Sequence, residues 1–173
     1  SAQQRRDNTP SKFRLFQKVC VVITSYQALN HLKKCIESLS PYLTSEAFEV
    51  IVVDNNSSSD VRDYLRELSA DNIKIVLNDV NYGFSYAVNQ GAGLASVGAD
   101  IVILNNDAWL ERGSLEILQR AVYDSSDIAI AIPRQIVPAG TPETHLHVPY
   151  AAVDVPCDVS LSSHHKNIES IDL

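Results

Sequence analysis

Five short apolar runs, spaced by segments with helical periodicity, constrain this 173-residue chain more than anything else in it. They are KVCVVIT (18–24), FEVIVVD (48–54), IKIVL (73–77), DIVIL (100–104) and IAIAIP (128–133). KVCVVIT, short and β-branched, suits a strand buried on both faces, FEVIVVD a second buried strand, and the other three runs read as further strands. Between them, Leu32, Cys35, Ile36 and Leu39 fall at helical spacing, with Pro41 just beyond. Val61, Tyr64, Leu65 and Leu68 mark a second helical face. Phe84, Val88 and Ala92 begin a third, and Leu115, Leu118 and Val122 a fourth. Such alternation predicts an α/β fold with a mainly parallel sheet flanked by helices. The connections are long enough for right-handed crossovers.

The periodicity bounds an α/β domain over residues 18–136. Residues 1–17 read as a polar tail carrying Arg5, Arg6, Lys12 and Arg14. Residues 137–173 hold Pro138, Pro142, Pro149 and Pro156 and no clear period, so they read as the loop-rich, incomplete start of a further region, with at most a short strand near AAVDV (151–155). The net charge of −7 and pI near 5.1 argue against a nucleic-acid or anionic-membrane binder. They leave room for an anionic ligand if a metal ion supplies the positive charge. No apolar run approaches the roughly 20 residues of a membrane span. Cys20, Cys35 and Cys157 are odd in number and widely spaced, which reads as reduced thiol in a cytoplasmic protein without an export signal.

Ligands of open α/β sheets bind beyond the carboxyl ends of the strands. Here four such ends turn polar: Thr24, Ser25 and Tyr26; Asp54, Asn55 and Asn56; Asn78, Asp79 and Asn81; Asn105, Asn106 and Asp107. Each alone also reads as turn or cap chemistry, and Gly83 as a position needing positive φ. Four on one edge read as a polar rim around a crevice. A carboxylate such as Asp54 can accept a hydrogen bond from N3–H of uracil or thymine. Tyr26 can stack on the base. Asp107 can hold a divalent cation that bridges two phosphates. The chain has neither GxxxxGK[ST] nor GxGxxG, so Walker-type and dinucleotide binding lack support. HLH (145–147), HH (164–165) and Cys157 lack the paired spacing of a zinc site.

The stretches VCVVITSYQALNHLKKCIESL, FEVIVVDNNSSSD and NDVNYGFSYAVNQGAGLASVGADIVILNNDAWLERGSLEIL, within about residues 19–120, together resemble the family 2 glycosyltransferases, particularly their rhamnosyltransferase-like branch. The resemblance implies the GT-A fold with its Rossmann-like sheet, a nucleotide-diphosphate sugar donor (UDP- or dTDP-sugar), Mg²⁺ or Mn²⁺, and inversion at the sugar carbon. Thr24, Ser25 and Tyr26 fall on the first nucleotide-contacting strand end, and Asp54 on the base-binding aspartate. Asn81, Gly83 and Asn89 match the Asn-x-Gly-Phe segment and the Asn after it, which shape the donor pocket. Asn105, Asn106 and Asp107 resemble the DxD-type motif, with Asp107 the metal ligand. Asn105 departs from the aspartate usual at the motif's first position. The resemblance also implies a glycan or lipid-linked acceptor, polysaccharide biosynthesis, a cytoplasmic setting at the inner face of a membrane, and further domains of one full-length protein. The family's general base is an Asp or Glu well downstream, often in an ED pair. The 40 residues after Pro133 hold no such pair, and their acids, Asp154, Asp158 and Glu169 among them, stand in no identifying context, so the base is left unassigned. Two other readings stand beside this one. One is a non-catalytic or truncated GT-A module that binds nucleotide or serves assembly. The other is a nucleotidyltransferase, which would want a glycine-rich loop after the first strand, where TSYQALNHLKK has no glycine.

Overall fold

A computed structural model describes residues 17–68, 70–124 and 128–133. Within them the order is β1 (Val19–Ser25), α1 (Leu29–Ser38), β2 (Phe48–Asp54), α2 (Ser59–Glu67), β3 (Ile73–Leu77), α3 (Phe84–Ala92), β4 (Asp100–Asn105) and α4 (Ser114–Tyr123). The strands form one four-stranded sheet in the order β3-β2-β1-β4. All three pairings are parallel. Chain contacts divide the molecule between Leu115 and Glu116, and the sheet lies wholly before that division.

The central strands β1 and β2 are buried on both faces, as their continuous Val and Ile runs require. Alternate residues feed two cores. Val19, Val21, Ile23, Val50 and Val52 pack with Leu32, Cys35, Ile36 and Leu39 of the α1 segment and Val61 and Leu65 of α2. Cys20, Val22, Ile51 and Val53 face the other way, with Ala87 of α3. The register sets Ser25 beside Asp54 and Thr24 beside Asn105, so three strands end level and present their polar residues together.

Two expectations are corrected. IAIAIP (128–133) is not a fifth strand: it has no regular secondary structure, and Ile130 and Ile132 are exposed. An apolar run becomes a strand only if a neighbour supplies the hydrogen-bonding ladder, and this one has no such neighbour among the described residues. The face of α3 is also different. Phe84 is exposed and Val88 only partly buried, while Ala87 and Gly91 are buried. A β-carbon at Gly91 would sit 2.4 Å from Cγ1 of Val22 and 3.3 Å from Cγ2 of Val53. The small residues let the helix lie directly on the sheet, and the large ones turn outward.

No helix among the described residues is long and apolar enough to cross a membrane. Cys20 and Cys35 are buried free thiols, as their apolar settings predict. Cys157, His145, His147, His164, His165, Asp154, Asp158, Glu169 and the AAVDV segment lie outside the described residues, as does nearly all of the N-terminal tail.

Candidate functional site

A cleft of about 290 Å³ opens at the carboxyl ends of β1, β2 and β4. Thr24, Ser25 and Tyr26 line it from β1, Asn55 from β2, Asn81, Gly83 and Phe84 from the entry to α3, and Asn105, Asn106 and Asp107 from β4. Eight of the ten residues singled out in the sequence meet here. Asp54 and Asn89 do not line the cleft.

Asp54 is fully buried behind the rim. Its Oδ2 accepts the Ser57 amide N–H at 3.0 Å and faces Nη1 of Arg62 at 3.6 Å. Its Oδ1 is buried with no hydrogen-bond partner, and so is Oγ of Ser25, its register neighbour. Asn89 lies on the exposed side of α3 and serves the helix end, its carbonyl accepting the Gly93 N–H at 2.9 Å. It sits more than a helical turn past Phe84, the last residue of that segment to reach the cleft.

The wall at residues 81–84 is held from within the sheet. Gly83 has φ 86° and ψ 168°, a conformation essentially closed to side-chain-bearing residues, and space for a β-carbon is not the constraint there. Oδ1 of Asn81 accepts the Gly83 N–H at 2.9 Å, and Nδ2 of Asn55 donates to the Gly83 carbonyl at 3.0 Å. Asn55 in turn accepts from Asn78 at 3.0 Å, and Asn78 makes a reciprocal amide pair with Gln90 of α3 at 2.9 and 3.0 Å. Nη1 of Arg62 reaches the Asn78 carbonyl at 2.7 Å. Buried amides of this kind are worth their desolvation only when fully paired, and pairing fixes one geometry. Sequence reading named Asn55 and Asn78 as strand-end residues but gave them no role, and it missed Gln90. The polar Gln90 one position before the buried Gly91 was the available signal.

The other rim is joined through Gln27, also missed. Its N–H donates to Oγ of Ser57 at 2.7 Å, its Oε1 accepts the Ser58 N–H at 3.2 Å, and its carbonyl accepts from Nδ2 of Asn106 at 3.2 Å. Gln27 and Ala28 have φ of 58° and 57°. A left-handed backbone costs about 1–2 kcal/mol at each non-glycine residue, so the surrounding bonds must hold this turn. Nothing in the SYQAL stretch announces it, since neither residue is Gly or Asn.

Behind Asn105 lies Cys35 of α1, whose Sγ donates to the Asn105 carbonyl at 3.6 Å. Burial, with the Asp107 carboxylate adding to it, pushes this thiol up to about 12, so it remains a neutral donor. Among the described residues, Asp107 is the only carboxylate lining the cleft. No cluster of three or more His, Cys, Asp or Glu side chains fit to hold a metal occurs among the described residues. One carboxylate and two primary amides nonetheless fit a hard cation that keeps several waters and shares phosphate oxygens with a ligand. They do not make a closed protein cage.

The chain matches the family model described as Glycosyl transferase family 2 over residues 20–163. Among curated proteins it is 33% identical over 103 residues to glycosyltransferase AglE of Haloferax volcanii, covering 55% of this chain and 34% of that protein. It is 28% identical over 115 residues to glycosyltransferase GlyA of Streptococcus pneumoniae, covering 65% of this chain and 16% of that protein. The chain thus spans about a third of one of these relatives and about a sixth of the other. Among solved structures it resembles the mannosyltransferase PcManGT of Pyrobaculum calidifontis, solved with GDP-Man and Mn²⁺, with TM-score 0.52 and 21% identity over 64% of this chain and 32% of that one. It also resembles S. aureus TarS 1-349, with TM-score 0.50 and 20% identity over 62% and 33%. These likenesses identify the fold as GT-A.

Proposed function

The chain belongs to glycosyl transferase family 2, and from that premise we propose that it forms the donor-binding part of an inverting glycosyltransferase using a UDP- or dTDP-sugar. The observation that carries the reading is a pair of buried, unpartnered oxygens on paired strand ends: Oγ of Ser25, which lines the cleft, and Oδ1 of its register neighbour Asp54, which lies behind the rim. A buried acceptor left unpaired costs about 1–3 kcal/mol. An imide N–H, as uracil and thymine carry, would satisfy it, and Oδ2 of Asp54 is already committed to Ser57 and Arg62.

In this reading Tyr26, half-exposed at the rim, stacks on the base. Asn81 and Gly83 shape the wall against the donor, with Asn55 fixing the Gly83 carbonyl. Asp107, with the amides of Asn105 and Asn106, would hold Mg²⁺ or Mn²⁺ against the diphosphate. The cation would supply charge neutralisation for the departing nucleoside diphosphate. Inversion needs a base that takes the proton of the acceptor hydroxyl as it attacks the sugar carbon, and no residue is assigned to that role. The acceptor we propose is a glycan or lipid-linked hydroxyl, in polysaccharide biosynthesis on the cytoplasmic side at the inner face of a membrane. Its support is the family alone.

The test is isothermal titration of UDP, dTDP and GDP with Mn²⁺ or with EDTA, on the chain and on Asp54→Ala and Asp107→Ala. We expect Mn²⁺-dependent binding of UDP or dTDP, weakened at least tenfold by each substitution. A folded chain that binds none of the three refutes the reading. Binding by the chain, with sugar transfer still absent when it is supplied within its full-length protein, would favour a nucleotide-binding module over an enzyme.

A further inference from the structure

We propose that Gln27 is a positioning residue that presets the amide of Asn106, so that its oxygen rather than its nitrogen serves the ligand. The inference rests on the reading of the cleft as a cation-dependent nucleotide site. An asparagine amide can face a site with either end. Here Nδ2 of Asn106 donates to the Gln27 carbonyl at 3.2 Å, and rotating the amide by half a turn would set oxygen against oxygen. The end that this bond leaves uncommitted is the carbonyl oxygen, a cation ligand and an acceptor for hydroxyl groups, on a residue that lines the cleft. Asn106 thereby becomes a second oxygen ligand beside Asp107, although its residue type alone does not say so.

Gln27 can hold that orientation because it is itself held from the opposite side. Its N–H is tied to Oγ of Ser57 and its Oε1 to the Ser58 N–H, both in the loop that follows β2. Ser57 also donates its amide N–H to Oδ2 of Asp54. One residue at the end of the β1 segment thus joins the loops after β2 and β4, on the two strands that flank β1 in the sheet. The left-handed backbone at Gln27 and Ala28 marks the same point independently, since such a conformation persists only where its surroundings over-determine it. Tyr26 precedes this turn and lines the cleft, so the turn sets its position too.

The experiment compares the chain with Gln27→Gly. Glycine accepts the left-handed backbone and keeps the N–H and C=O, but it removes the link to Ser58 and the stiffness. Three quantities are read: the unfolding midpoint, the Kd for UDP with Mn²⁺, and the hydrogen-exchange rate of the Asn106 side-chain NH₂ in the ligand-free protein. We expect a midpoint within a few degrees of the parent, a Kd weakened about tenfold, and faster exchange at Asn106. Unchanged affinity in a parent that binds UDP overturns the proposal. So does a loss of affinity that only follows a loss of stability. If the parent binds no nucleotide, the nucleotide reading fails instead, and the Asn106 exchange rate decides the positioning role: equal rates in parent and variant refute it.

Discussion

At the residue scale, Glu49 shows how a buried charge is kept. It sits in β2 at the end of the sheet away from the cleft. Burial pushes its carboxyl up, but hydrogen bonds from the Ser96 N–H and Oγ, at 2.6 and 2.9 Å, outweigh burial, with Lys74 at 4.0 Å and Lys18 adding to them. The net shift is below the usual 4.5. A carboxylate whose folded value lies below its unfolded one binds fewer protons in the folded state. Its stabilisation is therefore complete above about pH 4.5 and fades as pH falls through the lower, folded value. Glu49→Gln should be less stable than the parent at pH 7, and the gap should shrink below pH 4.5. Urea midpoints at pH 7, 5 and 3.5 check this; a constant gap would deny the ionised carboxylate its part.

At the element scale, α3 matters most, because its first turn forms one wall of the cleft and its body lies on the sheet. Gly91 sets the distance between them. Gly91→Ala places a methyl 2.4 Å from Val22, so the helix must lift or the valine must move. Overpacking of this kind costs about 1–3 kcal/mol, despite the better helix propensity of alanine. We expect a lower urea midpoint for Gly91→Ala and partial recovery in the double variant with Val22→Ala. The recovery is the informative number, since only a direct clash predicts coupling between the two positions. The amide chain of Asn55, Asn78 and Gln90 runs from β2 to α3, so a lifted helix should also disturb Gly83.

At the scale of the whole molecule, the fold gathers the polar residues of separate strand ends into one cleft. A ligand that binds only the folded chain stabilises it by mass action. UDP with Mn²⁺ at 100 times its Kd should add about 2.7 kcal/mol to unfolding, and EDTA should remove most of that gain. Thermal unfolding with UDP alone, Mn²⁺ alone and both together checks it. A cation shared with the diphosphate predicts a joint effect larger than the sum of the separate ones. Mn²⁺ alone raising the midpoint as much as the pair would mean a cation held by protein groups without the nucleotide.

The central strands β1 and β2 were legible because burial on both faces leaves a mark in the chain itself, as in VCVVIT and VIVV, whereas β3 and β4 were legible only as short apolar runs, and Ile101 and Ile103 of β4 are exposed. Strand ends were legible for the same reason, since polarity returns where burial stops, and that pointed to Thr24, Asn105, Asn106 and Asp107. IAIAIP misled because apolar composition does not create a neighbour to pair with. Phe84 and Val88 misled because size was taken as the sign of a core face, whereas a close helix–sheet contact selects Ala87 and Gly91. Asp54 was legible as a strand-end carboxylate, but its full burial beside Ser25 and its ties to Ser57 and Arg62 are settled only by the fold. Gln27 was invisible, because its three hydrogen bonds reach residues 30, 31 and 79 positions away, farther than any local pattern extends. The sequence by itself determined which segments are buried and where each becomes polar, since hydrophobic burial is written residue by residue. Only the tertiary structure decided which amide faces which partner, because a hydrogen bond depends on distance and direction between groups that chain order does not relate.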